Sequence, residues 1–287
     1  MVPSADKYQR ARITWRKDYA RDLWSVRIAP EKQVAFEAGQ YVTLALDRGD
    51  GKMIERPYSV ASSPLKKELE FFLEMVPQGA LTPMLHVLKE GDELWMRHRA
   101  KGAFTLDRKS GKTKHFYVST VTGVAPAISM VRTLISHSRK GDSPALQLVV
   151  IEAASRSYEL GYEDELRAAE RESGGWLRYI PSVSRPWEDP GWKGERGRAE
   201  DIVRKYLDQF GMTPQDTVAY LCGNPAMIDN AKGILLRSGF DREAIHVEIY
   251  WIPKKGGGAA SPPSDGQGGG PPARQGSAAG ERQVPSR

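Results

Sequence analysis

The sequence changes rhythm near His115, and that change limits what the chain can fold into. Before it come six short runs rich in Val, Ile, Leu and aromatic residues: Lys7 to Trp15, Asp22 to Ile28, Gln40 to Leu46, Met53 to Val60, Glu68 to Met75 and Glu93 to His98. Turn material such as Glu37-Ala38-Gly39, Asp47 to Gly51 and Gly91-Asp92 separates them. Short strands between such turns, with scarcely any helical period, predict a six-stranded antiparallel β-barrel. After the change, strands over His115 to Val121, Leu146 to Ala153, Leu177 to Val183, Thr217 to Cys222 and Ile245 to Tyr250 alternate with helices. The helices are Pro126 to Arg139, Tyr162 to Glu172, Ala199 to Phe210 and Pro225 to Ser238. A βαβ series predicts an α/β domain with a five-stranded parallel sheet and ligand sites at the carboxyl ends of its strands.

Two domains follow from this pattern, 1–110 all-β and 111–253 α/β, joined by a charged connector near Asp107 to Lys114. A chain of 287 residues is long enough for two cores. From 254 to 287 the chain turns to Gly, Pro, Ser, Ala and Gln without a hydrophobic period. Such a stretch buries too little surface to offset its ordering entropy, and we expect it to be a disordered tail.

Composition removes several functions. The single cysteine, Cys222, excludes a disulfide framework, a four-cysteine iron–sulfur centre and a cysteine zinc site within this chain, so redox work would need an organic cofactor. His86, His98, His115, His137 and His246 show no metal-ligand spacing, and no metal is expected. Glu152 and the run Glu163-Asp164-Glu165 read as strand-end and solvated helix charges, and no Ser/His/Asp constellation can be argued. Half of the net charge of +6 lies from Lys254 onward, and no basic cluster is interleaved with stacking aromatics. That balance argues against nucleic acid and weakly for an acidic protein partner. No run of eighteen apolar residues occurs and the opening residues lack a secretory apolar segment, so a cytoplasmic protein that does not engage a membrane is the expectation.

Several segments carry residues with chemical handles. In Arg56-Pro57-Tyr58-Ser59 a guanidinium can fork onto phosphate, Pro fixes the backbone, a ring can stack and a hydroxyl can donate and accept. These suit one large, flat, anionic cofactor such as a flavin dinucleotide. Gly79-Ala80-Leu81-Thr82, before the helix-like Pro83 to Leu88, suits a pyrophosphate, and equally an ordinary turn with Thr82 as N-cap and Pro83 at the first helical position. Thr122 and Gly123 lie in the turn leaving the first parallel strand, where dinucleotide folds make phosphate or nicotinamide contacts. The second parallel strand ends in Ala154-Ser155-Arg156-Ser157 rather than in an acidic residue, which favours a 2′-phosphate over free ribose hydroxyls. Arg185 and Arg198 can converge on the same place from neighbouring strand ends. Cys222-Gly223-Asn224-Pro225 sets a thiol at a strand-to-helix turn, and Glu248-Ile249-Tyr250-Trp251 places a carboxylate beside two aromatics.

Together with Phe36 to Val42 and Leu69 to Leu73, these segments resemble the bacterial ferredoxin/flavodoxin NADP reductases over nearly all of residues 5 to 251. The resemblance implies that the barrel binds FAD and the α/β domain binds NADPH. It implies further that Arg56 and the Gly79, Ala80, Leu81, Thr82 turn hold the pyrophosphate, with Pro57 between the handles. Tyr58 stacks on the isoalloxazine, Ser59 bonds near N5, and Phe72, Leu73 and Glu74 line the flavin through backbone contacts. Thr122 and Gly123 meet the nicotinamide nucleotide, and Arg156, Arg185 and Arg198 meet the 2′-phosphate. Ser59, Cys222, Glu248 and Tyr250 form the catalytic set, with Tyr250 and Trp251 covering the flavin until nicotinamide displaces a ring. The implied reaction is hydride transfer from NADPH to FAD, then single electrons to ferredoxin or flavodoxin, by a monomer.

Two departures from the family stand out: Val121 where it usually has Gly, and thirty-six residues after Trp251 where bacterial members usually finish. The alternatives are an NAD(P)H reductase feeding an oxygenase or reducing free ferric complexes, and a non-catalytic flavin-binding subunit.

Overall fold

In the first strand, Ala11 and Ile13 point inward while Arg10, Arg12 and Thr14 point outward, the period-two alternation of a sheet with one buried face. The computed structural model describes residues 6–250. Trp251 and the expected disordered tail lie outside the described residues.

The antiparallel sheet is built from β1 (Tyr8–Ala20), β2 (Leu23–Pro30), β3 (Tyr41–Asp47), β4 (Met53–Ser59), β5 (Leu69–Glu74) and β6 (Glu93–Arg97), with the short helix α1 (Thr82–His86) before β6. Their order in the sheet is β4-β3-β6-β1-β2-β5. The sheet curls into a barrel-like form, and the chain after β4 reaches the far edge, where the Ala61 N–H donates to the Glu70 carbonyl at 2.8 Å. Its core is Ile13, Trp24, Val26, Leu44, Phe71 and Met96 with their neighbours.

β1 continues five residues beyond the expected end at Trp15. Arg16, Lys17 and Asp18 break the apolar pattern, but their backbones still pair with Val26, Ser25 and Trp24 of β2 across two register shifts. A bulge bends a strand without ending its ladder. The extension carries Tyr19 onto Phe72, edge to face at 5.4 Å.

The second sheet is parallel, with order β10-β9-β8-β7-β11-β12. Its strands are β7 (Lys114–Thr120), β8 (Gln147–Ala154), β9 (Leu177–Val183), β10 (Glu195–Arg196), β11 (Thr217–Gly223) and β12 (Ile245–Ile249). The helices are α2 (Ala125–Ser138), α3 (Glu163–Glu172), α4 (Ala199–Gln209) and α5 (Pro225–Arg237). The expected five strands are therefore six, the extra one a two-residue edge pairing Glu195 and Arg196 with Ser182 and Val183. Nothing apolar marks so short an element in the sequence. Because β7 leads to β8 on one side and lies beside β11 on the other, the switch in strand order falls between β7 and β11. Ligands of open α/β sheets bind in the crevice at that point.

One core cluster spans both sheets, joining Leu23, Phe72 and Phe104 to Tyr117, Ile128 and Tyr220. Beside it α2 is tied to the segment after β4: Ser129 Oγ donates to the Ser62 carbonyl at 2.7 Å, Arg132 Nη1 to the Ala61 carbonyl at 3.0 Å, and Ser63 and Thr133 share a 2.9 Å hydroxyl pair. Glu70, 3% exposed, sits at the centre and accepts from Arg27 at 2.7 Å, Arg132 at 3.0 Å and the Tyr162 hydroxyl at 2.7 Å. Burial works to raise the Glu70 pKa, but the Arg132 charge and these bonds outweigh it and hold the carboxyl below its usual range.

Two acidic groups differ from their expected roles. Glu152 is fully buried rather than a strand-end charge, and Glu165 pairs with Arg132 at 2.6 Å rather than being merely solvated. In a parallel sheet covered on both faces a strand residue is interior even when charged.

Candidate functional site

Ser59 ends β4 and Glu248 lies near the end of β12, and the fold sets them in contact: Ser59 Oγ donates to Glu248 Oε1 at 3.4 Å across 189 positions of sequence. The Tyr250 hydroxyl donates to Ser59 Oγ at 3.2 Å and lies 3.5 Å from the Thr122 carbonyl. Cys222 is in register with Glu248 on one side and Ser119 on the other, which fixes its depth. Its thiol is fully buried and faces the hydroxyls of Tyr250 and Tyr117. The structure thus brings Ser59, Cys222, Glu248, Tyr250 and Thr122 into one cluster.

Burial sets the electrostatics there. It raises Glu248 to about 7, with the Ser59 bond opposing, and it pushes the Cys222 thiol and the Tyr250 phenol well above their ordinary values. Glu248 Oε2 is buried with no hydrogen-bond partner among the described residues, and so is His246 Nε2 two positions earlier. A cavity of about 400 Å³ adjoins them, lined by Tyr41, Pro57, Phe104, His246, Glu248 and Tyr250 among others.

Along β4, Arg56 and Tyr58 share the face opposite Pro57 and Ser59. Arg56 is exposed, donates to the Glu55 carbonyl at 2.7 Å and pairs with no carboxylate among the described residues. Its acidic neighbour is engaged elsewhere, since Glu55 takes two bonds from Arg97, at 2.6 and 2.7 Å. Tyr58 rests partly buried against the barrel core.

On β5 the side chains of Phe72 and Leu73 turn into the protein and Glu74 turns out. Phe72 packs edge to face on Tyr162 at 5.1 Å, and a Cβ on Gly161 would stand 2.6 Å from its ring. Packing thus takes up the side chains of Phe72 and Leu73, while that of Glu74 is exposed.

In the Gly79 turn, Thr82 is the first residue of α1 rather than its N-cap. Its hydroxyl ties back to Val76, accepting from the N–H at 3.0 Å and donating to the carbonyl at 3.3 Å. The Gly79 N–H donates to the same carbonyl at 2.8 Å. Pro83 brings no N–H to the first turn of α1, and the Met84 and Leu85 N–H groups both donate to the Leu81 carbonyl at 3.0 Å.

At the switch point the turns after β7 and β11 meet backbone to backbone. A Cβ on Gly123 would overlap the Cys222 carbonyl, and one on Gly223, whose φ is +126°, would overlap the Thr120 hydroxyl. Thr120 Oγ1 accepts from the Asn224 N–H at 2.8 Å, and the Tyr117 hydroxyl donates to the Gly123 carbonyl at 2.8 Å. Val121 takes a φ of 43°, the left-handed region that a β-branched residue rarely enters. Its side chain packs against Ala154, Leu160, Val183 and Trp192.

Arg156 and Arg185 are set side by side because the ends of β8 and β9 keep pairing, with the Ser184 and Arg185 N–H groups donating to Ala154 and Ser155 at 3.0 Å. Arg198 follows Gly197, which the Ser182 hydroxyl holds at 2.9 Å. Glu188 lies between Arg156 and Arg185, hydrogen-bonded to Arg156 Nε and 3.6 Å from Arg185 Nη1. Sequence reasoning singled out the arginines, gave His246 no site role and did not single out Glu188 or Tyr117. Those three belong to no local motif, and only the strand order brings them in.

Two family models match: Oxidoreductase FAD-binding domain over residues 13–104 and Oxidoreductase NAD-binding domain over 117–233. The chain is 32% identical over 227 residues to the ferredoxin–NADP reductase of Pseudomonas aeruginosa, covering 74% of this chain and 83% of that one. It is 28% identical over 243 residues to the xylene/toluene monooxygenase electron transfer component of Pseudomonas putida, covering 84% and 65%. Among solved structures, the Neisseria gonorrhoeae ferredoxin NADP+ reductase with bound FAD and NADP aligns with a TM-score of 0.72 at 24% identity, covering 85% of this chain and 99% of that one.

Proposed function

The chain belongs to the ferredoxin–NADP reductase family, and from that premise we propose that Ser59, Glu248, Cys222 and Tyr250 are the centre at which it passes a hydride from NADPH to FAD and releases single electrons to a ferredoxin or flavodoxin. It is an oxidoreductase whose cofactors are FAD and NADP(H), and an electron carrier is its partner class. The convergence of Ser59 with Glu248 and Tyr250 carries the reading, because it joins the strand holding Arg56 and Tyr58 to the strand end facing the switch point.

The residues fit such a cofactor. Glu248 Oε2 is a buried acceptor without a partner among the described residues, Arg56 is a guanidinium without a carboxylate among them, and the glycines at 123 and 223 let the turns after β7 and β11 pack against each other beside the cluster. When bound, FAD supplies the chemistry that accepts two electrons together and gives them up singly. In the proposed arrangement Arg56 and the Gly79–Thr82 turn hold its pyrophosphate, Tyr58 supports its ring and Ser59 donates or accepts at the ring edge. The backbone of Phe72, Leu73 and Glu74 lines it, and Trp251 belongs to the same covering segment as Tyr250. Thr122 and Gly123 seat the nicotinamide nucleotide, and Arg156, Arg185 and Arg198 meet the 2′-phosphate. Glu248, raised to about 7 by burial, is able to hold or release a proton beside the Ser59 hydroxyl near neutral pH. Domain roles follow: 1–110 for FAD and 111–253 for NADP(H). A cytoplasmic monomer is part of the proposal; among the described residues no helix is long and apolar enough to cross a membrane.

The test is stopped-flow flavin reduction of the purified full chain by NADPH and by NADH, followed by reoxidation with ferredoxin, flavodoxin or ferric complexes. Fast reduction by NADPH and reoxidation by a one-electron protein carrier is the expected outcome. A protein lacking bound flavin, or a flavin that NADPH fails to bleach, overturns it. The similarity to the Pseudomonas putida monooxygenase component favours, as a second reading, delivery of electrons to an oxygenase system. Reoxidation by an oxygenase component in preference to ferredoxin and flavodoxin would select that one.

A further inference from the structure

We infer that Glu188 is an internal counter-anion in the 2′-phosphate seat, and that it lowers the preference of this chain for NADP(H) over NAD(H). The inference rests on the proposed placement of the adenosine end at Arg156 and Arg185.

The geometry separates Glu188 from the other acids nearby. Glu159 divides its carboxylate, Oε2 accepting from the Ser155 N–H at 2.8 Å and the Arg156 N–H at 3.0 Å and so shaping the turn, while Oε1 lies 3.5 Å from Arg156 Nη1. Asp189 is likewise engaged, by the Ser157 hydroxyl and by the Gly191 N–H at 3.2 Å. Glu188 differs: the partners found for its carboxylate are the two guanidinium groups, Arg156 through Oε2 and Arg185 through Oε1. It stands on the short 3-10 turn Pro186–Glu188, whose Trp187 is 71% exposed. Its side chain is one-third open to water at 34%.

A carboxylate held this way does to the arginines what a phosphate would do. It neutralises them and orients their forks. An incoming 2′-phosphate must either displace it or bind beside a like charge, and both lower affinity. A ribose bearing a free 2′-hydroxyl meets no such opposition, because a carboxylate can accept a hydrogen bond from it, as acidic residues do in NAD-selective sites. The turn therefore holds arginines that select NADPH and an acid that opposes that selection.

The experiment measures binding by isothermal titration calorimetry to the full chain and to Glu188→Gln, using adenosine 2′,5′-bisphosphate and adenosine 5′-monophosphate. Gln keeps the size of the side chain and suits a partly exposed site. The expected result is that the bisphosphate binds Glu188→Gln about fivefold more tightly than the parent at low salt, with the gain shrinking as salt is added. The monophosphate should not gain. A bisphosphate affinity that stays the same, or a gain shared equally by both ligands, overturns the inference while leaving the nucleotide seat intact. If neither protein prefers the bisphosphate, the seat at Arg156 and Arg185 is itself misplaced, and the inference falls with it.

Discussion

At position 121 a valine holds a φ of 43° in the turn that leads from β7 toward α2. Left-handed backbone costs a non-glycine residue roughly 1–2 kcal/mol. A glycine would remove that strain but gain freedom in the unfolded chain, worth about 0.4–1 kcal/mol, and lose the partial burial of the valine. We expect Val121→Gly to leave the melting temperature within about 2 °C of the parent by differential scanning calorimetry, because these terms nearly cancel. Gly123, two residues on, has no such latitude. Gly123→Ala should destabilise the protein by roughly 1–3 kcal/mol in urea unfolding and weaken NADP+ binding, since its methyl would push the β7 and β11 turns apart. Glu152 gives a pH signature. Burial raises it to about 8, against a Tyr179 bond that lowers it, and Glu163 adds to the rise. Between the ordinary carboxyl range and that value the folded protein keeps a proton that the unfolded chain has released. Stability therefore falls as pH increases through this window and levels off above it. Glu152→Gln should remove this component of the slope, leaving the variant more stable than the parent at pH 9 by on the order of 3 kcal/mol in urea melts.

Among the elements, α2 reaches furthest, because one face of it lies in the parallel-sheet core and another is bonded to the segment after β4. Arg132→Met would strip the buried Glu70 of its nearest compensating charge on that helix, and the cost should be about 3–5 kcal/mol in denaturant unfolding. Adding Glu70→Gln should recover part of the loss. A double-mutant cycle with no coupling would show that the two side chains act independently. Most elements were legible beforehand, since Ile, Val and aromatic runs between Gly and Asp turns encode strands locally, and Leu177–Val183 was expected with its observed bounds. What escaped was encoded in pairing between distant segments. β1 runs on past Trp15 through Arg16, Lys17 and Asp18 because β2 keeps its ladder, and β10 is only Glu195 and Arg196 beside β9. The site divides in the same way. Arg56 to Ser59 and the Cys222 turn announce themselves as motifs, whereas Glu188 between two arginines is visible only once the ends of β8 and β9 are side by side.

For the molecule as a whole, the proposed nicotinamide position is the space beside Ser59, Cys222 and Thr122 that Tyr250 already touches. Removing that ring should help the nucleotide more than it harms the fold. Tyr250→Ser is expected to tighten NADP+ binding about tenfold in spectrophotometric titration, the equivalent of no longer having to expel a partly buried aromatic side chain. Unchanged affinity would mean that the ring does not compete. The ties between α2 and the barrel bear on how that competition is resolved. Glu70 bonded to Arg27, Arg132 and Tyr162, together with a core shared by both sheets, ties the two halves by buried polar bonds as well as by packing. On the proposed placement, access to the centre depends on the Tyr250 ring leaving Ser59 and Thr122. Motions of that size belong to the nanosecond-to-microsecond range of loops and termini, not to the slower range of domain closure. On that placement the rhythm of turnover would be kept by one ring, that of Tyr250, just past β12.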